Sequence, residues 1–163
     1  MEKKTEIITI LGVGNILLTD EGFGVHLIRG LEKRYDFPAN VRVMDGGVLG
    51  LNLLNVILES DRLIAVDVIR SGGAPGTLYR IDNDEIPTRI KAKNSLHQLD
   101  FIESLTKGAA IGEVPYTVII GTEPKDIETH SLELTPEIKE AIEPVMNMVL
   151  SELDNLGIKY KKK

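Results

Sequence analysis

Acidic side chains recur directly after the apolar segments of this 163-residue chain. Glu21 follows the first segment, Asp45 and Asp67 come at the ends of the second and third, and Glu123 follows the last. His97 lies just before a further helical stretch. Two carboxylates and one imidazole are a suitable set of oxygen and nitrogen ligands for a divalent transition metal. Because a carboxylate can also deprotonate water, the residue types favour metal binding or hydrolysis.

The elements that must position these residues alternate between apolar strands and amphipathic helices. Helices that follow apolar strands predict a mostly parallel five-stranded sheet covered on both faces, which is a doubly wound, three-layer α/β sandwich. Only residues 69–76 separate the third strand from the fourth, which is too short for a helical crossover, so we expect an antiparallel edge strand. The predicted strands are residues 7–11, 41–44, 63–66, 77–81 and 116–120, and the predicted helices are residues 21–31, 51–58, 96–106 and 135–156.

Local signals mark the ends of two of these helices. Asp20 is a suitable N-cap for the first helix, and Glu21 then lies in its first turn. Thr135 and Pro136 are a typical N-cap and first helical residue for the last helix. Pro144 lies inside that helix and predicts a kink, because its ring removes a backbone hydrogen bond.

Length and composition predict one domain over residues 1–158, followed by a basic tail at 159–163. The net charge is −6, and six of the 19 basic residues lie in the first four and last five positions, which argues against nucleic-acid binding. The absence of cysteine excludes thiol nucleophiles, zinc ribbons and iron–sulfur clusters. No apolar stretch approaches the ~20 residues of a membrane span, and no signal peptide is evident, so we expect a cytoplasmic protein.

Each candidate residue also has a purely structural interpretation. Glu21 could only stabilise the helix dipole, and Asp67 could only tie down the loop at 71–73. Asp45 precedes two glycines, which is a common turn arrangement. His97 and His130 could both be solvated. What favours a site is that the carboxyl ends of parallel strands share one edge, where clustered carboxylates repel one another unless a cation or a proton offsets their charge.

Several known motifs are incomplete. The segment that begins Gly12-Val13-Gly14 starts like a dinucleotide fingerprint, but Leu17 stands where the third glycine belongs. The acid of the second strand, Asp45, also comes later than the roughly 20 residues expected, and aromatic residues make up only 4% of the chain. Nucleotide or flavin binding is therefore disfavoured. The chain contains neither G-x-S-x-G nor H-E-x-x-H, and its Asp-Gly-Gly has no second copy of the kind that an aspartic protease needs.

The glycine-rich segment nevertheless resembles a known signature. Residues 11–25 read LGVGNILLTDEGFGV, which is similar to the signature of the [NiFe]-hydrogenase maturation endopeptidases. Shorter matches follow in order along nearly the whole chain: MDGG at 44–47, AVD at 65–67, APGT at 74–77, SLHQL at 95–99, GTEP at 121–124 and LTP at 134–136.

The resemblance implies a protease that removes a C-terminal extension from the hydrogenase large-subunit precursor after nickel insertion. The metal-contacting residues of the family correspond to Glu21, Asp67 and His97, and the aspartate of its Asp-Gly-Gly motif corresponds to Asp45. We therefore expect Asp45, Asp67 and Glu21 to take part in catalysis. The expected partner is the precursor, with neither nucleic acid nor membrane involved.

In this interpretation the nickel arrives with the precursor, held by its cysteine thiolates. Other divalent ions such as Zn²⁺ or Cd²⁺ are expected to occupy the same ligands in vitro. The attacking water is activated either by the metal or by a carboxylate such as Asp45, and the sequence leaves both open. An alternative function is a metal-dependent maturation scaffold that binds the precursor without cutting it.

Overall fold

The computed structural model describes residues 3–48, 53–86, 105 and 107–163 of the chain. Its strands are β1 (Ile8–Gly12), β2 (Tyr35–Asp36), β3 (Val41–Asp45), β4 (Arg62–Val68), β5 (Leu78–Ile81), β6 (Tyr116–Thr122) and β7 (Lys161–Lys162). Its helices are α1 (Phe23–Arg34), α2 (Leu53–Glu59), α3 (Pro136–Glu140) and α4 (Ile142–Asn155). Short 3₁₀ turns lie at Thr19–Gly22, Gly46–Val48 and Asn83–Glu85.

Five strands form one sheet in the order β3-β1-β4-β6-β5. Strands β3, β1, β4 and β6 are parallel, while β5 runs antiparallel to β6 at the edge, as the short connection before it predicted. After β1 the chain first forms β3 on one side and then β4 on the other, so the strand order changes direction at β1. In sheets of this type ligands bind beyond the carboxyl end of such a switch point.

Apolar layers cover both faces of the sheet and confirm the three-layer α/β architecture. One core joins α1 and α4 to side chains such as Ile10, Val66 and Ile120. The other joins α2 to side chains such as Leu11 and Ile119, which are adjacent in sequence to Ile10 and Ile120. Consecutive residues of a strand point to opposite faces, so a strand buried on both faces is apolar throughout.

Two helix ends differ from the predicted pattern. Helix α1 begins at Phe23 after a 3₁₀ turn, its N-cap is Gly22, and Asp20 makes no capping hydrogen bond. The prediction that Asp20 caps this helix is therefore wrong. At the other end of the chain Thr135 and Pro136 open α3 as predicted. In place of the kink expected at Pro144, the predicted last helix is interrupted at Ala141 and divided into α3 and α4. Pro144 therefore lies in the first turn of α4, where its missing N–H costs little.

Within the basic tail predicted at 159–163, two exposed residues pair with β2, the short strand that follows α1. Lys161 and Lys162 pair with Asp36 and Tyr35 in an antiparallel ladder, and Tyr160 packs edge-on against Tyr35 with ring centroids 5.7 Å apart. The helix predicted over 96–106 lies almost wholly outside the described residues. Among the helices that are described, none has the length and apolar content to cross a membrane.

Candidate functional site

Four carboxylates of the described residues are buried, and all four lie near the carboxyl ends of the parallel strands. Their exposed fractions are 0% for Asp20, 7% for Glu21, 5% for Asp67 and 6% for Glu123. Burying a carboxylate is costly unless hydrogen bonds or positive charge compensate for the lost hydration. Glu21, Asp67 and Glu123 are acids that the sequence placed at this edge, whereas Asp20 was predicted only as a helix cap. The partners of each carboxylate distinguish their roles.

Gly14 brings the first loop close to the ends of β3 and β4. Its φ is +134°, a conformation that side chains rarely adopt. A Cβ atom added to Gly14 would lie 1.8 Å from the carbonyl oxygen of Glu21 and 3.7 Å from Oδ1 of Asp67. Only glycine fits at this position, and its close contacts place the Glu21 backbone beside the Asp67 carboxylate.

A second glycine brings α1 close to the sheet. A Cβ at Gly24 would lie 2.1 Å from the Val66 carbonyl oxygen and 2.5 Å from that of Val13. The first turn of α1 therefore packs directly on the backbone at the ends of β1 and β4. This contact fixes the segment that carries Glu21 against the strand that carries Asp67.

The two predicted metal ligands thus belong to neighbouring elements. The backbone of Glu21 closes its own loop, since its N–H donates to the Leu18 carbonyl at 3.1 Å and its carbonyl accepts from Asn15 N at 3.1 Å. Oδ1 of Asp67 accepts a hydrogen bond of 2.8 Å from the N–H of Val68. Within the described part of the chain no three acidic or histidine side chains form a metal-binding group. His97, the predicted third ligand, lies outside the described residues.

Asp45 lies across the end of β1 from Asp67. Gly12 pairs with Asp45 on one side and with Val66, the residue before Asp67, on the other. Two strand spacings therefore separate the backbones of the two aspartates, roughly 10 Å. Oδ1 of Asp45 accepts a 2.9 Å hydrogen bond from Gly47 N, which is the turn arrangement that the sequence left open. The side chain is half-buried and borders the switch point.

Asp20 anchors two distant loops. Its Oδ2 accepts hydrogen bonds from Lys125 N at 3.0 Å and Asp126 N at 2.9 Å, and its Oδ1 accepts from Thr135 N at 2.8 Å. The Thr135 hydroxyl lies within hydrogen-bond distance of both oxygens. Asp20 is thus a structural carboxylate that ties the start of α3 and the loop after β6 to the segment of Glu21.

Glu123 is a structural carboxylate of the same kind. Its two oxygens accept hydrogen bonds from Ser71 N at 2.8 Å and Gly72 N at 2.7 Å. Its backbone also pairs with the start of β5, through Gly76 N and the Thr77 carbonyl. From the sequence, holding the loop at 71–73 was a possible structural role for Asp67. The structure assigns that role to Glu123.

His26 lies under the loop that follows β6. Its Nε2 is buried and has no hydrogen-bond partner, while the imidazole interacts with the backbone of Leu132. Burial, with a smaller contribution from Arg29, lowers the pKa of His26 below its ordinary value. His26 is therefore favoured in its neutral form. His130, in the same loop, is exposed, as expected for a solvated residue.

Sequence reasoning missed three of these assignments. Nothing in the local pattern distinguishes Asp20 from Glu21, since the residues that hydrogen-bond Asp20 lie 105 to 115 positions away. Glu123 was placed at the correct edge without its loop partners. The buried imidazole nitrogen of His26 has no sequence signal, because burial of one atom depends on tertiary packing.

Comparison with known proteins decides the family. The family model described as hydrogenase maturation protease matches residues 25–152. The chain belongs to this family. The hydrogenase 2 maturation protease of Escherichia coli strain K12 is 40% identical over 153 residues, which cover 93% of each chain. A hydrogenase expression/formation protein, HupD, of Bradyrhizobium diazoefficiens is 39% identical over 96% of this chain and 82% of its own length.

Solved structures agree with the sequence relatives. The hydrogenase maturating endopeptidase HybD from Escherichia coli superimposes with a TM-score of 0.89 at 38% identity, covering 96% of this chain and 98% of its own. The [NiFe]-hydrogenase maturation protease HybD from Thermococcus kodakarensis gives a TM-score of 0.75 at 25% identity, covering 89% and 97% of the two chains. These matches confirm both the fold and the assignment of the chain as a peptide-bond hydrolase of hydrogenase maturation. They therefore argue against the non-cleaving scaffold.

Proposed function

We propose that this protease removes the C-terminal extension of the large-subunit precursor of a [NiFe]-hydrogenase after nickel has been inserted, and that it recognises the nickel in the precursor. The observation that carries the proposal is the pair of buried carboxylates, Glu21 and Asp67, whose segments meet at Gly14. Membership in the hydrogenase maturation proteases supports a hydrogenase precursor as the substrate.

In the proposed complex nickel is part of the substrate, held by thiolates of the precursor. Carboxylate oxygens of Glu21 and Asp67, with a ring nitrogen of His97, would add ligands to the open side of that nickel. Two oxygens and one nitrogen form a modest ligand set with no thiolate of its own, so it should hold nickel weakly without the precursor. The enzyme would then bind tightly only to a precursor that already carries the metal.

Binding of this kind would position the scissile peptide for hydrolysis. Holding the reacting groups in one geometry removes much of the entropic barrier of a bimolecular step. The oxygen of a water molecule would attack the scissile carbonyl carbon, and the C–N bond would break. The proton lost by that water would be transferred to the amine of the released extension. Asp45 is the proposed base that first accepts this proton, through the oxygen that does not hold Gly47.

The test is mass spectrometry of the full-length precursor after incubation with the protein, with and without nickel in the precursor. Nickel-loaded precursor should lose the mass of its extension, and nickel-free precursor should remain intact even with excess enzyme. Because the metal would arrive with the substrate, purified enzyme should be active after treatment with a mild chelator. Cleavage of nickel-free precursor at a comparable rate would remove nickel recognition from the proposal.

The role of Asp45 is tested separately by substitution. Asp45→Asn keeps an oxygen for the hydrogen bond from Gly47 but removes the base, so kcat should fall by about 10²- to 10⁴-fold. Asp45→Glu keeps a carboxylate and should recover part of the rate. Equal cleavage rates for Asp45→Asn and the wild type would show that Asp45 is not the base and would favour activation of the water by the metal.

A further inference from the structure

Two exposed leucines lie on neighbouring segments beside the loop that carries Glu21. Leu17 is 56% exposed and Leu132 is 61% exposed. They flank an isolated parallel bridge between Leu18 and Ser131, one residue before it and one residue after it. We call this pair the Leu17–Leu132 ridge. The two segments are more than 100 positions apart in sequence, so the ridge exists only in the folded chain.

Backbone hydrogen bonds hold the two segments of the ridge together. Ser131 N donates to the Leu17 carbonyl and Thr19 N donates to the Ser131 carbonyl, both at 3.0 Å. The Thr19 hydroxyl also donates to the Thr129 carbonyl, although Thr19 has a φ of +52°. A β-branched residue in the left-handed region is strained and persists only where its surroundings determine it. The backbone that carries the two leucines is therefore fixed by its hydrogen bonds, with Thr19 held in a strained conformation.

The ridge is rigidly coupled to the candidate site. Asn15 Oδ1 accepts from Leu17 N at 2.9 Å, Leu18 N donates to the Asn15 carbonyl at 3.2 Å, and Glu21 N donates to the Leu18 carbonyl at 3.1 Å. The loop is closed by Asn15 N and the Glu21 carbonyl. Leu17 cannot be displaced far without moving Glu21. A protein whose scissile segment reaches Glu21 would therefore pass close to Leu17.

We infer that the Leu17–Leu132 ridge is a docking surface for the hydrogenase precursor, which contacts it through an apolar segment near the scissile peptide. This inference rests on the proposed function, because continuity with the site identifies the occupant. Apolar side chains at the rim of an interface contribute by losing their contact with water. Docking on a rigid ridge next to Glu21 would fix the distance between the bound segment and the cleaved bond.

The test uses steady-state cleavage of full-length, nickel-loaded precursor by Leu17→Ser, Leu132→Ser and the double variant. Each single change should raise KM about tenfold, equivalent to about 1.4 kcal/mol, with kcat retained to within about threefold. The double variant should raise KM further. Leu17→Met and Leu132→Met should keep the wild-type KM, because they conserve the apolar surface. Thermal unfolding should match the wild type for every variant, since both side chains are exposed.

Ile111 provides a matched control. It is 68% exposed and lies before β6, at the opposite end of the sheet, so Ile111→Ser should leave KM and kcat unchanged. If the wild type cleaves the precursor and the double serine variant has the same KM, the inference is overturned and the proposed function is left intact. Failure of the wild type to cleave nickel-loaded precursor would overturn the proposed function and this inference with it.

Discussion

Replacing Asp20 with asparagine tests whether adjacent acids have separate roles. Asp20 is fully buried, and its oxygens accept three backbone hydrogen bonds and one hydroxyl hydrogen bond. Asparagine has only one acceptor oxygen, so its NH₂ group must face N–H donors whichever way it turns. In the milder orientation the oxygen keeps Lys125 N and Asp126 N, and the N–H of Thr135 loses its partner.

The magnitude follows from these partners. A hydrogen bond to a charged group contributes about 1.5–3 kcal/mol, and a buried donor left without a partner costs about 1–3 kcal/mol. Asp20→Asn should therefore lower the free energy of unfolding by about 2–4 kcal/mol, because the milder orientation sacrifices the hydrogen bond of Thr135. For a domain of this size that corresponds to a decrease in Tm of roughly 5–15 °C.

Differential scanning calorimetry and chemical denaturation at neutral pH would measure the change. Asp126→Asn is a matched control, because Asp126 lies at a half-buried position and its hydrogen bonds are local, to the N–H groups of Glu128 and Thr129 and to the Thr129 side chain. That control should lose about 1 kcal/mol or less. If Asp20→Asn unfolded within about 2 °C of the wild type, the reasoning that Asp20 is the structural anchor would be refuted.

Three further predictions concern the site and its surroundings. Glu21→Gln and Asp67→Asn should each keep the wild-type fold but reduce the cleavage rate at least about 100-fold. The double variant should be little worse than either single variant, and full additivity in kcat/KM would place the two residues in separate sites. Gly14→Ala should lower the free energy of unfolding by about 2 kcal/mol and abolish activity. The control is Gly157→Ala, because Gly157 also has a positive φ, +73°, but a Cβ there would meet nothing within 4 Å. Because burial lowers the pKa of His26, the unfolded chain binds a proton first as pH falls below about 6.5, so stability declines from there downward. His26→Gln should flatten Tm against pH between about 7.5 and 5, and an unchanged slope would contradict the assignment.

The fold was predictable because its strands and connections leave strong local signals. Strands β1, β4 and β6 are buried on both faces, so they appear in sequence as short continuous apolar runs. The connection at 69–76 has room only for an edge strand that turns back, which is how β5 pairs with β6. Pro136 marks the start of α3 because it can occupy only the first turn of a helix.

The functions of the individual acids were less predictable, because they depend on contacts between distant parts of the chain. The order of strands indicates which side chains reach the carboxyl edge, and it correctly placed Glu21, Asp67 and Glu123 there. It contains no information about which backbone N–H groups face each carboxylate. Asp20 was therefore wrongly predicted to cap a helix. Asp67 was considered as the residue that holds the loop at 71–73, but Glu123 makes those hydrogen bonds.

Under the proposed function, the two kinds of buried carboxylate would give one edge both rigidity and affinity for a cation. Asp20 and Glu123 are compensated by backbone N–H groups, which are neutral dipoles and supply no positive charge. All four carboxylates, including Glu21 and Asp67, lie at the same carboxyl edge. In the proposed complex, a divalent cation in the substrate would supply positive charge that no amide can supply, so all four carboxylates would favour its binding while only two need contact it. Neutralising Glu21 or Asp67 should thus weaken recognition without unfolding the chain, whereas neutralising Asp20 should loosen the frame that holds Glu21 in position.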